Sequence, residues 1–166
     1  MFTTVEMLAE QPFLAGLTDH QLGLLAPLTS RSMFHAGNRV FSQGTPAEQF
    51  WLITAGRVDL DSEVAGFDNV ILETLKPGAV LGWSWLFAPY RWHFGAVATE
   101  TTHTLTFNGS LVRALCQRDP GLGYELATRF LQVMGGRLQS ARRRLEDCQR
   151  ATSQRLLTPP GPSGQR

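Results

Sequence analysis

The stretch from residue 32 to residue 107 is divided into short runs of apolar and β-branched residues by recurring glycines. Val, Ile, Phe and Thr favour strands, and glycine favours the tight turns between strands. Turn signals at this spacing are typical of an antiparallel sandwich or roll. Within the stretch we expect buried core strands at 50–53 and 70–72 and a half-exposed strand at 58–61. The glycines that mark the turns are Gly37, Gly44, Gly56, Gly66, Gly78, Gly82 and Gly95.

Helical periodicity replaces this pattern at both ends of the chain. Apolar residues recur at helical spacing over 5–28, where Thr18 is suited to cap a helix, and this predicts one or two short helices. A helix over 110–118 and a long helix over 122–150 are predicted next, the long one with Pro120 in its first turn. The chain is therefore predicted to be mainly β with flanking helices. Its predicted architecture is a double-stranded β-helix, or jelly-roll β-roll, with N-terminal helices and a long C-terminal helix.

The long C-terminal helix carries the apolar pattern of a coiled-coil seam. The apolar residues follow each other at steps of three and four, with one additional four-residue step. Such a seam requires a partner helix, so we expect a homodimer formed through this helix. Residues 1–151 are predicted to form one domain that includes the helix, and the Pro- and Gly-rich residues 152–166 a disordered tail. The predicted seam residues are Ala127, Phe130, Met134, Leu138, Ala141, Leu145 and Cys148.

Charge and cysteine usage exclude several classes of protein. A formal net charge of +1 gives no overall attraction to nucleic acid or to an anionic membrane. Cys116 and Cys148 lack the spacing of a metal site, so we expect reduced thiols in the cytoplasm. Residues 1–10 do not resemble a secretory signal, and the longest apolar run, 79–90, is too short to span a bilayer. The sequence therefore predicts a cytoplasmic protein without a metal site or a membrane segment.

Five short motifs occur in an order that a known family shares. They are Pro-Phe-Leu-Ala-Gly-Leu-Thr at 12–18, Gly37, Gln-Gly-Thr-Pro-Ala at 43–47, Leu-Ile-Thr-Ala-Gly-Arg-Val at 52–58 and Leu-Lys-Pro-Gly-Ala-Val-Leu-Gly at 75–82. Over about residues 10–150 the chain resembles the cyclic-nucleotide-binding domain, the sensory half of the catabolite activator protein and of regulatory subunits of kinases and channels. The resemblance implies a β-roll in which a phosphate-binding cassette holds a cyclic nucleotide.

By this resemblance the cassette is the segment 82–99, which is rich in aromatic residues. A short helix after Gly82 would present free backbone N–H groups to the cyclic phosphate. The family has Glu directly after this glycine, to hold the ribose, and Arg further along, to neutralise the phosphate. This sequence has Trp83 and His93 at those positions, so we expect weakened or altered nucleotide binding. The candidate ligand-binding residues are Gly82, Trp83, Ser84, Trp85, Arg91, His93, Phe94 and Gly95.

The aromatic cassette allows two interpretations. If Trp83 and its neighbours line a pocket, the ligand is a cyclic nucleotide or another small aromatic or apolar molecule. If they fill the pocket, the chain is a ligand-free dimerisation or protein-interaction module that is closed by its own aromatic side chains. The sequence does not decide between these alternatives.

The absence of a catalytic grouping favours a regulatory function. No Ser/His/Asp or Cys/His set and no carboxylate pair falls where the pocket is expected, so we expect no catalytic residues and no enzymatic activity. We expect the basic run Arg142, Arg143 and Arg144 to be a solvated helix face. The sequence leaves no room for a helix-turn-helix after the long helix, so we expect no DNA-binding domain and no specific DNA binding. The leading hypothesis is a small-ligand-sensing regulatory domain that acts on an unknown downstream protein.

Overall fold

The strands pair into two antiparallel sheets of four strands each. The computed structural model describes residues 3–63 and 69–157. The strands are β1 (Thr29–Phe34), β2 (Arg39–Phe41), β3 (Gln49–Ala55), β4 (Val58–Ser62), β5 (Val70–Leu75), β6 (Val80–Leu81), β7 (Gly95–Ala98) and β8 (Thr102–Asn108). Their order is β1-β8-β3-β6 in the first sheet and β2-β7-β4-β5 in the second. Except for β4 and β5, neighbouring strands are not consecutive in the chain, as in a jelly roll, and the predicted β-roll is confirmed.

Helices flank the two sheets at both ends of the described chain. They are α1 (Thr4–Ala9), α2 (Asp19–Leu25), α3 (Gly109–Arg118) and α4 (Pro120–Leu157). A capping box starts α2, because the Thr18 hydroxyl accepts from the N–H of Gln21 at 3.2 Å and the Gln21 side chain accepts from the N–H of Thr18 at 3.0 Å. The predicted short N-terminal helices and the predicted start of the long helix at Pro120 are confirmed.

Phe50 lies at the centre of the core between the first sheet and the helices. Its ring stacks on Phe107 of β8 at 4.5 Å and on Trp85 at 4.6 Å, measured between ring centroids. The ring of Phe130, from α4, meets Phe50 edge-on at 5.5 Å and also contacts Phe13. Aromatic side chains bury the largest areas, so this group joins the sheet, the cassette and the flanking helices into one apolar core.

Two strands differ from the expectations. The strand over 70–72 is present, but it is not a core strand, since Val70 and Ile71 are 46% and 60% exposed. The reason is position, because β5 is the edge strand of the second sheet. In β4, Asp61 was expected to face solvent but is only 6% exposed, since Arg39 and Asn69 cover its carboxylate.

Helix α4 is divided between two compact units, one that ends at Phe130 and one that begins at Leu131. The seam predicted from the sequence included Phe130, and this is wrong, because Phe130 is fully buried in the core. Leu131 is instead 65% exposed, and the exposed Leu138 and Leu145 follow it at seven-residue spacing. The additional four-residue step therefore marks where the apolar residues of the helix change from core packing to an exposed face.

The end of α4 lies beyond the domain boundary that we predicted at residue 151, since the helix continues to Leu157. The remainder of the predicted tail, 158–166, lies outside the described residues.

The turn between β3 and β4 provides a test of the roll. Gly56 has a φ of +87°, and a Cβ there would lie 2.4 Å from the carbonyl oxygen of Thr101. Gly56→Ala should lower the free energy of unfolding by about 3 kcal/mol or more, because backbone strain adds to overpacking. The matched control is Gly23→Ala in α2, where a Cβ has open space, and this change should raise stability by up to about 1 kcal/mol. Chemical denaturation measures both, and equal effects would contradict the assigned turn.

Candidate ligand-binding site

The predicted cassette, 82–99, begins directly after β6 and includes β7. Gly82, at its start, has a φ of +89°, and a Cβ there would lie 2.8 Å from the indole ring of Trp92. A short 3-10 turn, Ser84–Leu86, follows, and an irregular loop then leads to Gly95. The glycine at the start of the cassette is thus required both by its backbone conformation and by the ring packed against it.

Five cassette side chains form one cluster, which we call the Trp83 cluster. The half-buried Trp83 ring stacks on His93 at 5.0 Å and on Phe87 at 5.6 Å, and Phe94 meets it edge-on at 6.0 Å. The hydroxyl of the buried Ser84 lies 3.0 Å from Nδ1 of His93 and shares a hydrogen bond with it. This bond and the stacked indole fix the imidazole plane, and His93 remains exposed.

The other predicted site residues lie outside this cluster. Trp85 is fully buried on Phe50, and its indole N–H has no hydrogen-bond partner among the described residues. Arg91 is exposed and donates from Nη1 to the carbonyl oxygen of Gly44 at 2.7 Å. Gly95 begins β7 and pairs with Asp61 of β4. The structure therefore brings together Trp83, Ser84, His93 and Phe94, with Phe87 as a member that we did not select from the sequence.

Trp92 belongs to a second aromatic group. It stacks on Phe41 of β2 at 3.9 Å, and Phe41 stacks on Trp51 of β3 at 5.5 Å. Because β2 and β3 lie in different sheets, these rings connect one sheet to the other. They also line a surface cleft of about 320 Å³, which Thr45, Pro46, Glu48 and Gln49 border.

An ion pair between a partly exposed arginine and a buried carboxylate lies directly beside Gly95. Arg39 of β2 donates to both carboxylate oxygens of Asp61, at 3.0 and 2.7 Å, and Asn69 donates to one of them at 3.0 Å. Side-chain hydrogen bonding to Arg39 lowers the pKa of Asp61, and the same bond raises the pKa of Arg39. A Cβ at Gly95 would lie 2.1 Å from Asp61, so only glycine leaves room for this pair.

Arg113 of α3 joins the cassette to the helices. It donates from Nη1 to the carbonyl oxygen of Trp85, and its guanidinium lies 4.2 Å from the centroid of the Tyr90 ring. On the other side, the N–H of Ala47 donates to the carbonyl oxygen of Tyr90 at 2.8 Å, and the N–H of Trp92 donates to Thr45 at 2.9 Å. The cassette is thus held between α3 and the loop that precedes β3. No sequence signal indicated Arg113.

Comparison with known proteins identifies the class. A model of the cyclic nucleotide-binding domain matches residues 31–119, which is more than half of the chain. The chain therefore belongs to the family of cyclic nucleotide-binding domains, as the resemblance predicted. This membership establishes the family and the β-roll fold.

Individual relatives agree with this class. The chain is 28% identical over 116 residues to the cyclic AMP receptor protein of Thermus thermophilus, and the match covers 70% of this chain and 54% of that protein. A protein from Geobacter metallireducens that is assigned as cyclic nucleotide-binding has a similar structure, with a TM-score of 0.73 and 27% identity, covering 83% of this chain and 99% of that one. The catabolite activator protein of T. thermophilus gives a TM-score of 0.67 at 26% identity, covering 84% and 63%.

The chain spans about half the length of the curated relative that it matches. In the described residues, no helix is long and apolar enough to cross a membrane, and no group of His, Cys, Asp and Glu is arranged to hold a metal ion.

The Arg39–Asp61 pair should make stability depend on pH. Arg39→Gln leaves a buried carboxylate without its main partner, which should cost about 2 to 3 kcal/mol at about pH 7. Since the pKa of folded Asp61 lies below its unfolded value of about 3.9, the pair stabilises above about pH 5. This contribution is lost as the pH falls through the folded pKa, so variant and parent should converge in acid.

The matched control is Arg57→Gln, which removes the exposed pair with Glu100, whose charged atoms are 3.5 Å apart. It should cost less than about 1 kcal/mol at any pH. Urea denaturation across pH gives both values, and a loss that does not change with pH would contradict the assigned role of Asp61.

Proposed function

We propose that this chain is a non-enzymatic, ligand-sensing regulatory domain whose cassette binds its ligand through the Trp83 cluster. The observation that carries the proposal is the stacking of Trp83 on His93 at 5.0 Å, with Ser84 bonded to that imidazole. By the family resemblance, Trp83 and His93 occupy the positions of the Glu that holds the ribose and the Arg that neutralises the phosphate.

The chemistry of the Trp83 cluster favours a planar ligand of low charge. It contains no carboxylate and no guanidinium, and the side chain of Arg91 is bonded to the carbonyl oxygen of Gly44. Within the cluster, a phosphodiester would therefore meet the imidazole of His93 and no guanidinium. The partly accessible rings of Trp83 and Phe94 suit a flat apolar or aromatic molecule, with Ser84 and His93 to orient it.

The contacts of Trp85 connect the cassette to α3 and α4, which provides a route from ligand binding to these helices. Its carbonyl oxygen accepts from Arg113 of α3, and its ring contacts Phe130 of α4 at 5.4 Å. A ligand that prefers one position of the Ser84–Leu86 turn would therefore shift the balance between arrangements of these helices. We propose that the downstream protein recognises this change, and that no specific DNA sequence is bound by the described domain.

The second candidate function is that of a ligand-free association module. The ring-on-ring contacts favour it, since Trp83 and Phe41 each already stack on neighbouring rings. The exposed Leu131, Leu138 and Leu145 on α4 also favour it, because they supply an apolar face for a partner. A homodimer through this face is compatible with both candidate functions.

Calorimetry with cyclic AMP and cyclic GMP tests the main proposal. Charge-assisted hydrogen bonds contribute about 1.5 to 3 kcal/mol each. The absence of two of them should weaken binding by about two to four decades relative to a cassette with Glu and Arg. The double variant Trp83→Glu with His93→Arg should recover binding.

The matched control adds the same two charges at exposed positions, Tyr124→Glu and Leu111→Arg, and should recover nothing. Tight cyclic-nucleotide binding by the natural chain would show that the Trp83 cluster is not the determinant that we propose.

Self-association should be weak and should strengthen with salt. With Leu131, Leu138 and Leu145 at the a positions of a parallel coiled coil, Arg137 (g) faces Arg142 (e) of the second copy, so repulsion opposes the apolar contacts. At about 1 M salt the screening length is about 3 Å, and the dimer should tighten. Sedimentation equilibrium of the natural chain and of Leu138→Gln measures this, with Leu111→Gln as the control for an exposed leucine outside the seam. A strict monomer at every salt and protein concentration would exclude the homodimer.

A further inference from the structure

The described part of α4 after Phe130 has an exposed face with heptad spacing. Leu131, Leu138 and Leu145 are 65%, 72% and 67% exposed and stand seven residues apart. Met134, Ala141 and Cys148 follow the leucines after three positions, which gives the apolar a and d spacing of a coiled coil with the leucines at a. We call this face the α4 seam, and it consists of Leu131, Met134, Leu138, Ala141, Leu145 and Cys148.

Positive charges flank the α4 seam on both sides. In the heptad set by the leucines, Arg142 takes an e position, and Arg137 and Arg144 take g positions. The acidic residues nearby, Glu146 and Asp147, take b and c positions and therefore lie away from the seam. The e and g positions along the seam thus include three arginines and no Asp or Glu.

The ion pair of Arg142 with Glu146 leaves Arg142 able to bind another carboxylate. Arg142 bonds to Glu146 at 2.9 Å, but its side chain is 80% exposed, and such pairs on a helix surface are weak and screened by salt. Arg142 can therefore exchange this partner for a carboxylate that a second helix presents at the edge of the seam.

A second copy of the chain complements this charge pattern poorly. In parallel pairing Arg137 faces Arg142 of the other copy, and in antiparallel pairing Arg137 and Arg144 face each other. Either orientation brings like charges together along the seam. Residues at e and g positions decide the choice of partner, and repulsion there selects against the wrong one.

We propose that the α4 seam binds an amphipathic helix of another protein, with apolar residues toward the seam and Asp or Glu at its edges. Such a helix covers the exposed leucines and also replaces each pair of like charges with an attractive pair. Nucleic acid would satisfy the arginines only, and it would leave the leucines in water. The leucines and arginines of the α4 seam favour such a partner whatever the Trp83 cluster binds.

Two synthetic peptides, each about three heptads long, test this proposal with the full chain. Both have Leu at the a and d positions, and one has Glu at e and g whereas the other has Lys. Fluorescence anisotropy should show that the acidic peptide binds at least about tenfold more tightly, which corresponds to about 1.4 kcal/mol. The difference should shrink at about 1 M salt. Equal affinities at low salt would overturn the proposal.

Variants separate the two parts of the interaction. Arg137→Glu, Arg142→Glu and Arg144→Glu together should reverse the preference, so that the basic peptide binds more tightly. Leu138→Gln should weaken the acidic peptide by about tenfold or more, whereas Leu111→Gln, at an exposed leucine of α3, should leave its binding unchanged. Circular dichroism of each variant checks that the helix is retained. Equal losses in the two leucine variants would overturn the assignment of the seam.

Competition distinguishes this partner from the alternatives. Sedimentation with saturating acidic peptide should give the mass of one chain with one peptide, even where the chain alone forms dimers. A dimer that the peptide cannot displace would show that the second copy is the preferred occupant. Duplex DNA that binds more tightly than the acidic peptide, with no effect of Leu138→Gln, would show that the arginines serve nucleic acid and would overturn the proposal.

Discussion

The stacked rings of Phe107, Phe50 and Trp85 are the interaction on which the rest of the domain depends. The ring centroids of Phe107 and Phe50 are 4.5 Å apart and those of Phe50 and Trp85 are 4.6 Å apart. The ring of Phe130, from α4, packs edge-on against Phe50. Because each ring belongs to a different element, no element can shift without breaking an aromatic contact. Because Trp85 belongs to the 3-10 turn of the cassette, the same stack fixes that turn against the core. The position of the candidate site therefore depends on the packing of the core.

The candidate site differs from the family pattern in the kind of interaction that it offers. Where the resemblance implies a carboxylate and a guanidinium, the chain has the stacked pair of Trp83 and His93. Arg39 and Asp61 pair with each other beside Gly95, and the guanidinium groups of Arg91 and Arg113 are bonded to backbone carbonyl oxygens. At the two positions where the resemblance implies charged side chains, the cassette thus offers an indole ring and a hydrogen-bonded imidazole.

Much of the fold could be predicted because its signals are local. Five of the glycines predicted at turns have a positive φ, as at Gly56 and Gly82, and Thr18 caps α2 as its neighbours indicated. The order of the motifs then placed the cassette. These features depend on a few adjacent residues, which a sequence displays directly.

The remaining features depend on strand order and on tertiary contacts. Asp61 is buried because β2, β7 and β4 are neighbours, which brings Arg39 and Gly95 beside it from distant parts of the chain. Periodicity could not separate Phe130 from Leu131, because both are apolar and only the packing of the core decides which one is buried. The contact of Arg113 with Trp85 likewise joins two elements that no spacing rule connects.

The four tryptophans differ in their exposure to water, so the intrinsic fluorescence of the protein can report on the candidate site. Trp51, Trp85 and Trp92 are at most 5% exposed, whereas Trp83 is only half-buried and lies in the candidate site. A small quencher dissolved in water therefore reaches the indole of Trp83 first, and the emission that it removes comes from the cassette. A molecule bound at the site would shield Trp83, so the quencher would remove less of the natural fluorescence, and no attached label is needed.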